Sequence, residues 1–286
     1  MPSLREIRGH MRSVTGIAQV VHAMEAVSSV TTHRLQERVD DSVSYAEGAW
    51  RILARLAALD IPEICSAPAF ERNLSGDRTC LLFISSNRGM AGSFDQNVLR
   101  LALEYIAGVR DGVEVITIGS QGHDALLRRG ISVVADWSQL NEHVRMDEVS
   151  PIATYVLRGL HNGDFDRAVM VYTQFRGALR HRPRTQLLLP VELSEVSEPR
   201  LFYYEPGVSE LVETLLPRAI QASIHLALLE SLAAEHAARA VAMRSASNNA
   251  RELADHLRLT YNKSRQQAIT AEMNEVSSAL TLETGS

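Results

Sequence analysis

The segment at 86–93, with the sequence SNRGMAGS, is the first stretch whose residue types and spacing suggest chemistry. It follows an apolar run and precedes an amphipathic one, and backbone N–H groups at the start of a helix can bind an anion. It lacks the G-x-G-x-x-G pattern, however, and the only lysine of the chain is Lys263, so no Walker A loop exists. The pattern favours a tight strand-to-helix turn that uses Gly89 and Gly92 over a phosphate site.

Other reactive side chains are scattered. Ten histidines form no ligand pair such as H-E-x-x-H, and His225 and His236 are expected to pack in or beside a helix seam. Cys65 and Cys80 have neither metal-binding nor redox spacing, which is typical of reduced thiols in a cytoplasmic chain. The sequence therefore predicts no catalytic residue, no metal and no cofactor.

One segment forms a basic patch. It comprises Arg176, Arg180, His181, Arg182 and Arg184. Few aromatic residues accompany it and the formal net charge is -5, so a solvated edge or an acidic partner is favoured over nucleic acid. No apolar run approaches the 18 residues of a membrane span, and the N-terminus is too polar for a secretory signal.

The elements that must position these residues begin with a long C-terminal helix, Val208 to about Leu282. It contains no glycine and only Pro217, and the part after Pro217 would be a rod of roughly 100 Å at 1.5 Å per residue. Apolar or small residues follow a three-four spacing, which is the pattern of a coiled coil. This seam consists of Leu226, Leu229, Ala233, His236, Ala240, Met243, Ser247, Ala250, Ala254, Leu257, Tyr261, Ser264 and Ala268.

A second long helix is predicted for Ser3–Ile61, since no proline lies between Pro2 and Pro62. Ser3 and Glu6 have the spacing of a capping box. The predicted apolar stripe begins with Leu4, Ile7, Met11 and Val14, and then shifts to Ile17, Val20 or Val21, Met24 and Val27.

The middle of the chain has a different period. Apolar runs at 79–85, 113–118, 131–135 and 167–173 alternate with helical patterns at 94–109, 123–129 and 149–160, and 185–189 is a possible edge strand. This alternation predicts the α/β class, with a Rossmann-like domain inserted between the long helices. The expected division is an N-terminal shaft helix at 1–61, a linker at 62–78, an α/β foot domain at 79–207 and a C-terminal shaft helix at 208–286.

Ordered motifs across nearly the whole chain resemble those of one family, the gamma subunit of rotary F-type ATP synthases. The densest are LLESLAAEHAARAVAM at 228–243 and LRLTYNKSRQQAITAEMNEV at 257–276. SLREIRGHMRSVTGIAQVVHAMEAVSS at 3–29, SSNRGMAGSFDQN at 85–97 and FYYEP at 202–206 are looser matches. A chance coiled coil would reproduce the heptads but not YNKSRQQAIT.

The resemblance implies a non-catalytic central shaft, an antiparallel coiled coil that couples ion flow through a ring of c subunits to ATP synthesis or hydrolysis. Its tip would lie inside a hexamer of three alpha and three beta subunits, and its foot would stand with the epsilon subunit on the c ring. Such a protein is peripheral, at the cytoplasmic face of the cell membrane, and has no small-molecule substrate of its own.

The resemblance also implies the contact residues. Those expected to meet a beta subunit are Met24, Arg265, Gln266, Thr270 and Glu272. Arg265 is suited to charge-assisted, bidentate hydrogen bonds with a carboxylate. Tyr204 and Glu205 are expected at the foot, near polar loops of the c ring.

The N-terminal helix departs from the family pattern, because His22 and Thr31 stand where relatives carry basic residues. The loss of charge is expected to weaken contacts with acidic loops of the beta subunit. Two other functions fit the pattern of elements: an α/β nucleotide-binding enzyme with a helical dimerisation arm, and a non-rotary coiled-coil scaffold.

Overall fold

The computed structural model describes residues 3–57, 69–70, 78–109, 112–140, 142–178, 180–191, 204–205 and 207–283, with side chains described as far as 274. The chain forms two compact units. One comprises Met1–Val27 and Ala240–Ser286, and the other comprises Ser28–Arg239.

Five helices are described. They are α1 (Leu4–Ala57), α2 (Phe94–Gly108), α3 (Ser120–Leu127), α4 (Ser150–Asn162) and α5 (Val208–Glu283), and a short 3₁₀ turn, Asp147–Val149, precedes α4. The predicted capping box opens α1: the Ser3 N–H donates to Glu6 Oε2 at 2.8 Å, and the Glu6 N–H donates to Ser3 Oγ at 3.3 Å. These two bonds satisfy N–H groups that have no partner within the helix.

The unit formed by Ser28–Arg239 contains one five-stranded sheet. Its strands are β1 (Thr79–Ile84), β2 (Val113–Ile118), β3 (Val133–Asp136), β4 (Arg167–Phe175) and β5 (His181–Leu189). Their order is β3-β2-β1-β4-β5, with β5 antiparallel to β4 and the other pairs parallel. This confirms the predicted α/β class. The edge strand β5 is longer than predicted because its polar residues pair with β4 as well.

The two faces of the sheet carry separate cores. On one face, Leu81 and Phe83 of β1 pack with Val98 and Ala102 of α2 and with Leu126 of α3. On the other, alternate residues of the same strand belong to a larger core that includes parts of α1, α4 and α5. Since adjacent side chains of a strand point to opposite faces, the continuous apolar run of β1 fills both cores.

The other unit pairs the start of α1 with the later part of α5. Arg8 bonds to the Tyr261 hydroxyl and its guanidinium lies 5.2 Å from the centre of that ring, while Arg244 donates to Glu25 at 2.7 Å. A step of 17 residues forward along α1, from Arg8 to Glu25, therefore corresponds to 17 residues backward along α5. The two helices run antiparallel here.

Burial in this unit follows the predicted α5 seam from Ala240 to Ser264, whereas Ala268 is exposed. The predicted shift of the α1 stripe is wrong for Ile17, Val20 and Val27, which are 57%, 61% and 65% exposed. The less exposed residues after Val14 are instead Ala18, Val21, Met24 and Glu25. These residues keep the three-four spacing of a coiled-coil seam.

Several predictions fall on parts of the chain that are not described. The linker at 62–78 lies outside the described residues except for 69–70 and Arg78, and so do the end of the predicted helix after Ala57 and the thiol of Cys65. The four-part division of the chain stays a prediction. Within the described parts of the chain, no helix is both long and apolar enough to cross a membrane.

Candidate functional site: the joint between the long helices and the sheet

Within the Ser28–Arg239 unit, the face that α5 buries is unusually polar. Each polar residue of this row is 3% to 6% exposed, and they are Ser223, Glu230, Ser231, Glu235, His236 and Arg239. Buried polar and charged groups are costly unless they are paired. Their partners therefore show what this part of α5 is built to hold.

Arg239 joins α5 to the turn at 86–93. Its guanidinium pairs with Glu235 one helical turn earlier and donates to the carbonyl oxygen of Arg88 at 2.9 Å. The Gly89 carbonyl oxygen lies 3.4 Å from the same nitrogen. Arginine presents several donors in a fixed plane, so one side chain satisfies both a carboxylate and backbone carbonyls.

The turn is shaped to present those carbonyls. Asp95 of α2 accepts the Ser86 N–H at 3.0 Å and the Ser86 hydroxyl at 2.7 Å. Gly92 has φ 62°, as expected for a glycine in this turn, but the second left-handed residue is Met90, with φ 65°, and not Gly89. Gly89 serves instead through its carbonyl group, beside Arg239.

Two of the donors that an anion could use at this edge, both at the start of α3, are already occupied. The Ser120 N–H at the start of α3 donates to Asn87 Oδ1 at 3.0 Å, and the Gly122 N–H donates to Ser85 Oγ at 2.9 Å. The carboxyl ends of parallel strands are the usual place for ligands in such sheets. Here this place holds an internal network, which supports the interpretation of the 86–93 turn as structural.

A loop before α4 is held by both long helices. Arg38 of α1 donates to the carbonyl oxygens of Glu142, at 2.7 Å, and of Val144. From α5, His225 Nε2 lies 3.3 Å from the Val144 carbonyl oxygen, and His236 Nε2 lies 3.2 Å from Glu142 Oε1. The loop therefore connects α1 to α5 through polar contacts as well as through the apolar core.

Burial sets the charge of this network. It lowers the pKa of His225 and of His236, the latter despite the opposing effect of Glu142, so both rings are neutral near pH 7. Neutral His236 donates its Nε2–H to Glu142. Burial also raises the pKa of Glu235, because it outweighs the attraction of Arg239.

Two further contacts hold α5, one to β4 and one to α1. Ser231 Oγ accepts the backbone N–H of Thr173 in β4 at 3.1 Å, and the Trp50 indole N–H of α1 donates to Ser223 Oγ. Together with Arg239 and His236, these contacts fix the rotation and the axial position of α5. We call the contacts of Ser223, Ser231, His236 and Arg239 the buried joint of α5. Such a joint can transmit torque or force between helix and sheet, and it requires no bond chemistry.

The residues expected at a beta subunit lie in the other unit and make few contacts there. Arg265, Gln266, Thr270 and Glu272 are exposed, and the Thr270 hydroxyl donates to the Gln266 carbonyl at 2.9 Å. Met24 of α1 is partly buried. The four α5 residues occupy about two turns of one helix and are accessible to a partner.

Of the remaining positions, Tyr204, Glu205 and Thr31 are in the Ser28–Arg239 unit and His22 is in the other unit. Tyr204 is partly buried against the larger core and Glu205 is exposed. Thr31 is 5% exposed, so a lysine there would bury a charge. His22, in the other unit, is largely exposed and lies 3.5 Å from Glu25.

Sequence reasoning missed the joint itself. The spacing of Glu235 and Arg239 is the i, i+4 pattern of an exposed helical pair, and only their place beside the buried seam residue His236 could have indicated burial. Among the described residues, no group of three or more histidines, cysteines and carboxylates is arranged to hold a metal.

Comparisons with known proteins identify the family of the chain. The sequence model of the ATP synthase family matches residues 3–281. The "ATP synthase gamma chain" of Chloroflexus aurantiacus is 36% identical over 283 residues, with 97% of this chain and 98% of the relative covered. That of a Roseiflexus species is also 36% identical, with 97% of each chain covered.

Solved structures share the fold. A chain of the Euglena gracilis mitochondrial ATP synthase, in a structure of its OSCP/F1/c-ring, matches with a TM-score of 0.69 and 20% identity over 97% of this chain and 93% of that one. A chain of the Tetrahymena thermophila mitochondrial ATP synthase, in a structure of its central stalk and c ring, matches with a TM-score of 0.62 and 22% identity over 80% of this chain and 99% of that one. By its family match and its curated relatives, the chain belongs to the ATP synthase gamma chain family.

Proposed function

We propose that this chain is the central rotor shaft of a rotary F-type ATP synthase. It couples ion flow through the c ring to ATP synthesis or hydrolysis in a hexamer of three alpha and three beta subunits. It performs no bond chemistry itself. The family match supports this proposal, and the buried joint of α5 is the structural observation that carries it.

A shaft must resist slipping against the domain that drives it. The joint meets this need because Arg239, His236 and Ser231 of α5 bind three different parts of the α/β domain. The antiparallel pairing of α1 with α5 in the other unit supplies a second helix, which stiffens the first against twisting. Both features would be superfluous in a free-standing nucleotide-binding domain.

The exposed α5 residues Arg265, Gln266, Thr270 and Glu272 are the proposed contacts with beta-subunit loops, together with Met24. Water solvates these polar side chains in the free chain, and a beta-subunit loop would replace that water with groups that pair with them. An acidic loop suits Arg265, because a carboxylate can accept two parallel hydrogen bonds from one guanidinium.

Tyr204 and Glu205 are the proposed contacts with the c ring, and the epsilon subunit is the proposed neighbour of the foot. The protein would then be peripheral, at the cytoplasmic face of the cell membrane. In this arrangement, 1–61 and 208–286 form the shaft, 79–207 form the foot, and 62–78 link them.

Co-expression with the alpha and beta subunits of the same cell tests the proposal. A shaft gives a stable complex with one copy of this chain per three alpha–beta pairs. Truncation after Tyr261 removes the four proposed beta-subunit contacts of α5 and should abolish ATP hydrolysis by that complex, while truncation after Leu282 is the matched control. If the chain stays apart from the hexamer and binds nucleotide alone, an enzyme function replaces the shaft.

A further inference from the structure

A cavity of about 550 Å³ lies within the Ser28–Arg239 unit, between α1, α5 and the face formed by β4 and β5. Its apolar wall includes Trp50, Leu226 and Ala227, and its polar wall includes Glu230 and the guanidinium groups of Arg176 and Arg184. The volume is within the range of sites that hold small organic molecules, and such sites are mostly apolar with a few polar groups.

Glu230 is the feature that the packing of the domain leaves unexplained. Only 6% of the residue is exposed, and its Oε2 atom finds no hydrogen-bond partner among the described residues. Gln174 Oε1, on the same cavity, is also buried without one. Buried polar atoms are nearly always satisfied, so these two atoms mark a polar side of the cavity to which a ligand or water can bond.

The charges around the cavity define the kind of ligand that it favours. Arg51 and Glu47 face it from α1, and Arg176 and Arg184 face it from the sheet. Tyr172 also lines it, and its hydroxyl donates to Gln186 Oε1 at 3.0 Å. Three guanidinium groups against two carboxyl groups make the cavity positive even when both acids are ionised, so it favours an anion.

Burial raises the pKa of Glu230 to about 7, and the nearby Tyr172 hydroxyl and the guanidinium groups of Arg184 and Arg176 oppose this rise. Below pH 7 its carboxyl group therefore carries a proton and can donate a hydrogen bond. Above pH 7 it is charged and repels an anion.

We propose that this cavity binds a small carboxylate with a compact apolar body. Its carboxylate group accepts hydrogen bonds from Arg184 and Arg176 and from protonated Glu230, and its apolar body packs against Trp50 and Leu226. The site is separate from the proposed shaft contacts, and its occupancy does not depend on the rotary function. A cation is disfavoured by the three arginines, and its binding would rise with pH.

Isothermal titration of the full chain with benzoate tests this proposal, with benzamide as the neutral analogue of the same shape. The affinity for benzoate should fall about tenfold between pH 6 and pH 8, since the protonated fraction of a group with pKa about 7 changes by that factor. Benzamide should bind at least about tenfold more weakly than benzoate at pH 6, because it forms no charge-assisted bond.

Three variants locate the site. Arg184→Gln should weaken benzoate binding at least about tenfold, and Arg184 is exposed, so folding is retained. Glu230→Gln keeps a donor at every pH and should remove the pH dependence. Arg100→Gln removes the same charge from an exposed position of α2 that does not line the cavity, and should change nothing.

Benzoate binding that is absent at both pH values would overturn the proposal. Binding that Arg184→Gln leaves unchanged, or that Arg100→Gln weakens equally, would overturn it too. Assembly of the chain with alpha and beta subunits is measured separately, so either proposal can fail without the other.

Discussion

Replacement of Arg239 tests the buried joint most sharply. Arg239→Met keeps a long side chain but removes the guanidinium group. The change takes away the partner of Glu235 and the donor to the Arg88 and Gly89 carbonyls. Since the side chains of Arg239 and Glu235 are only 7% and 8% exposed, water cannot readily replace what is lost.

The size of the expected loss of stability follows from that burial. Removing one partner of a buried ion pair costs about 3–5 kcal/mol, because the Glu235 carboxyl must then either stay charged without compensation or take up a proton. The free energy of unfolding of the Ser28–Arg239 unit should therefore fall by about 3–5 kcal/mol at pH 7.5. The double variant Glu235→Leu/Arg239→Met leaves no unpaired charge and should recover most of this loss.

Urea unfolding followed by tryptophan fluorescence measures the effect. Both tryptophans, Trp50 and Trp137, lie in the Ser28–Arg239 unit, so the signal reports on the unfolding of that unit. Arg145→Met is the matched control. It breaks an arginine–carboxylate pair with Asp147 whose side chains are 75% and 65% exposed, and it should cost less than about 1 kcal/mol.

A fall in the free energy of unfolding of less than about 1 kcal/mol for Arg239→Met would refute this reasoning, because the buried pair would then contribute no more than an exposed pair. A double variant that is less stable than Arg239→Met alone would refute it as well. In that case Glu235 would contribute through contacts other than the ion pair.

Three further predictions concern other parts of the chain. Folding raises the pKa of Glu230 from 4.5 to about 7, so the cost of ionising it in the folded state is absent below pH 4.5 and complete above pH 7. The free energy of unfolding of the wild type, relative to that of Glu230→Gln, should therefore fall by about 3 kcal/mol from pH 4.5 to pH 7.5. Equal pH profiles of the two proteins in urea titrations would contradict this. Gly159→Ala should lower the free energy of unfolding by about 1–3 kcal/mol in the same assay, because the added Cβ would lie 2.2 Å from a Phe165 ring carbon. Gly48→Ala in α1 is the control: its Cβ would meet nothing within 4 Å, and the change should raise the free energy of unfolding by about 0.5–1 kcal/mol. Arg265→Gln should weaken binding of the chain to the alpha–beta hexamer about tenfold in a pull-down titration, while Arg258→Gln, exposed on the same helix, should not.

Hydrophobic periodicity predicted most of the architecture. The apolar run of β1 and the alternating segments after it gave the α/β class, because a central parallel strand must be apolar on both faces. The three-four spacing from Ala240 to Ser264 predicted the buried face of α5 in the same way. The shift of the α1 stripe was wrong because it followed the large residues Ile17 and Val20, whereas the less exposed positions continue through Ala18 and Val21.

The joint could not be predicted in the same way. Glu235, His236 and Arg239 have polar side chains, and polarity alone predicts exposure. Their burial depends on carbonyl and carboxyl groups of the 86–93 turn and the loop before α4, which are about 150 and 90 residues away in sequence. Spacing within one helix carries no information on such distant partners. The glycines of the 86–93 turn drew attention to it in the sequence, but the turn binds Arg239 of α5 through its carbonyl groups.

Rotation of single complexes tests the shaft function most directly. The complex of this chain with alpha and beta subunits would be fixed to glass through the beta subunits. A gold rod would be attached to a cysteine introduced by Arg100→Cys, at an exposed position of α2. The variant would also carry Cys65→Ser, so that the rod does not attach there. Cys80 is buried and can stay. A rotor shaft should turn the rod through full revolutions in one direction when ATP is added. Steady ATP hydrolysis by complexes that contain this chain, with the rod stationary, would contradict the assignment.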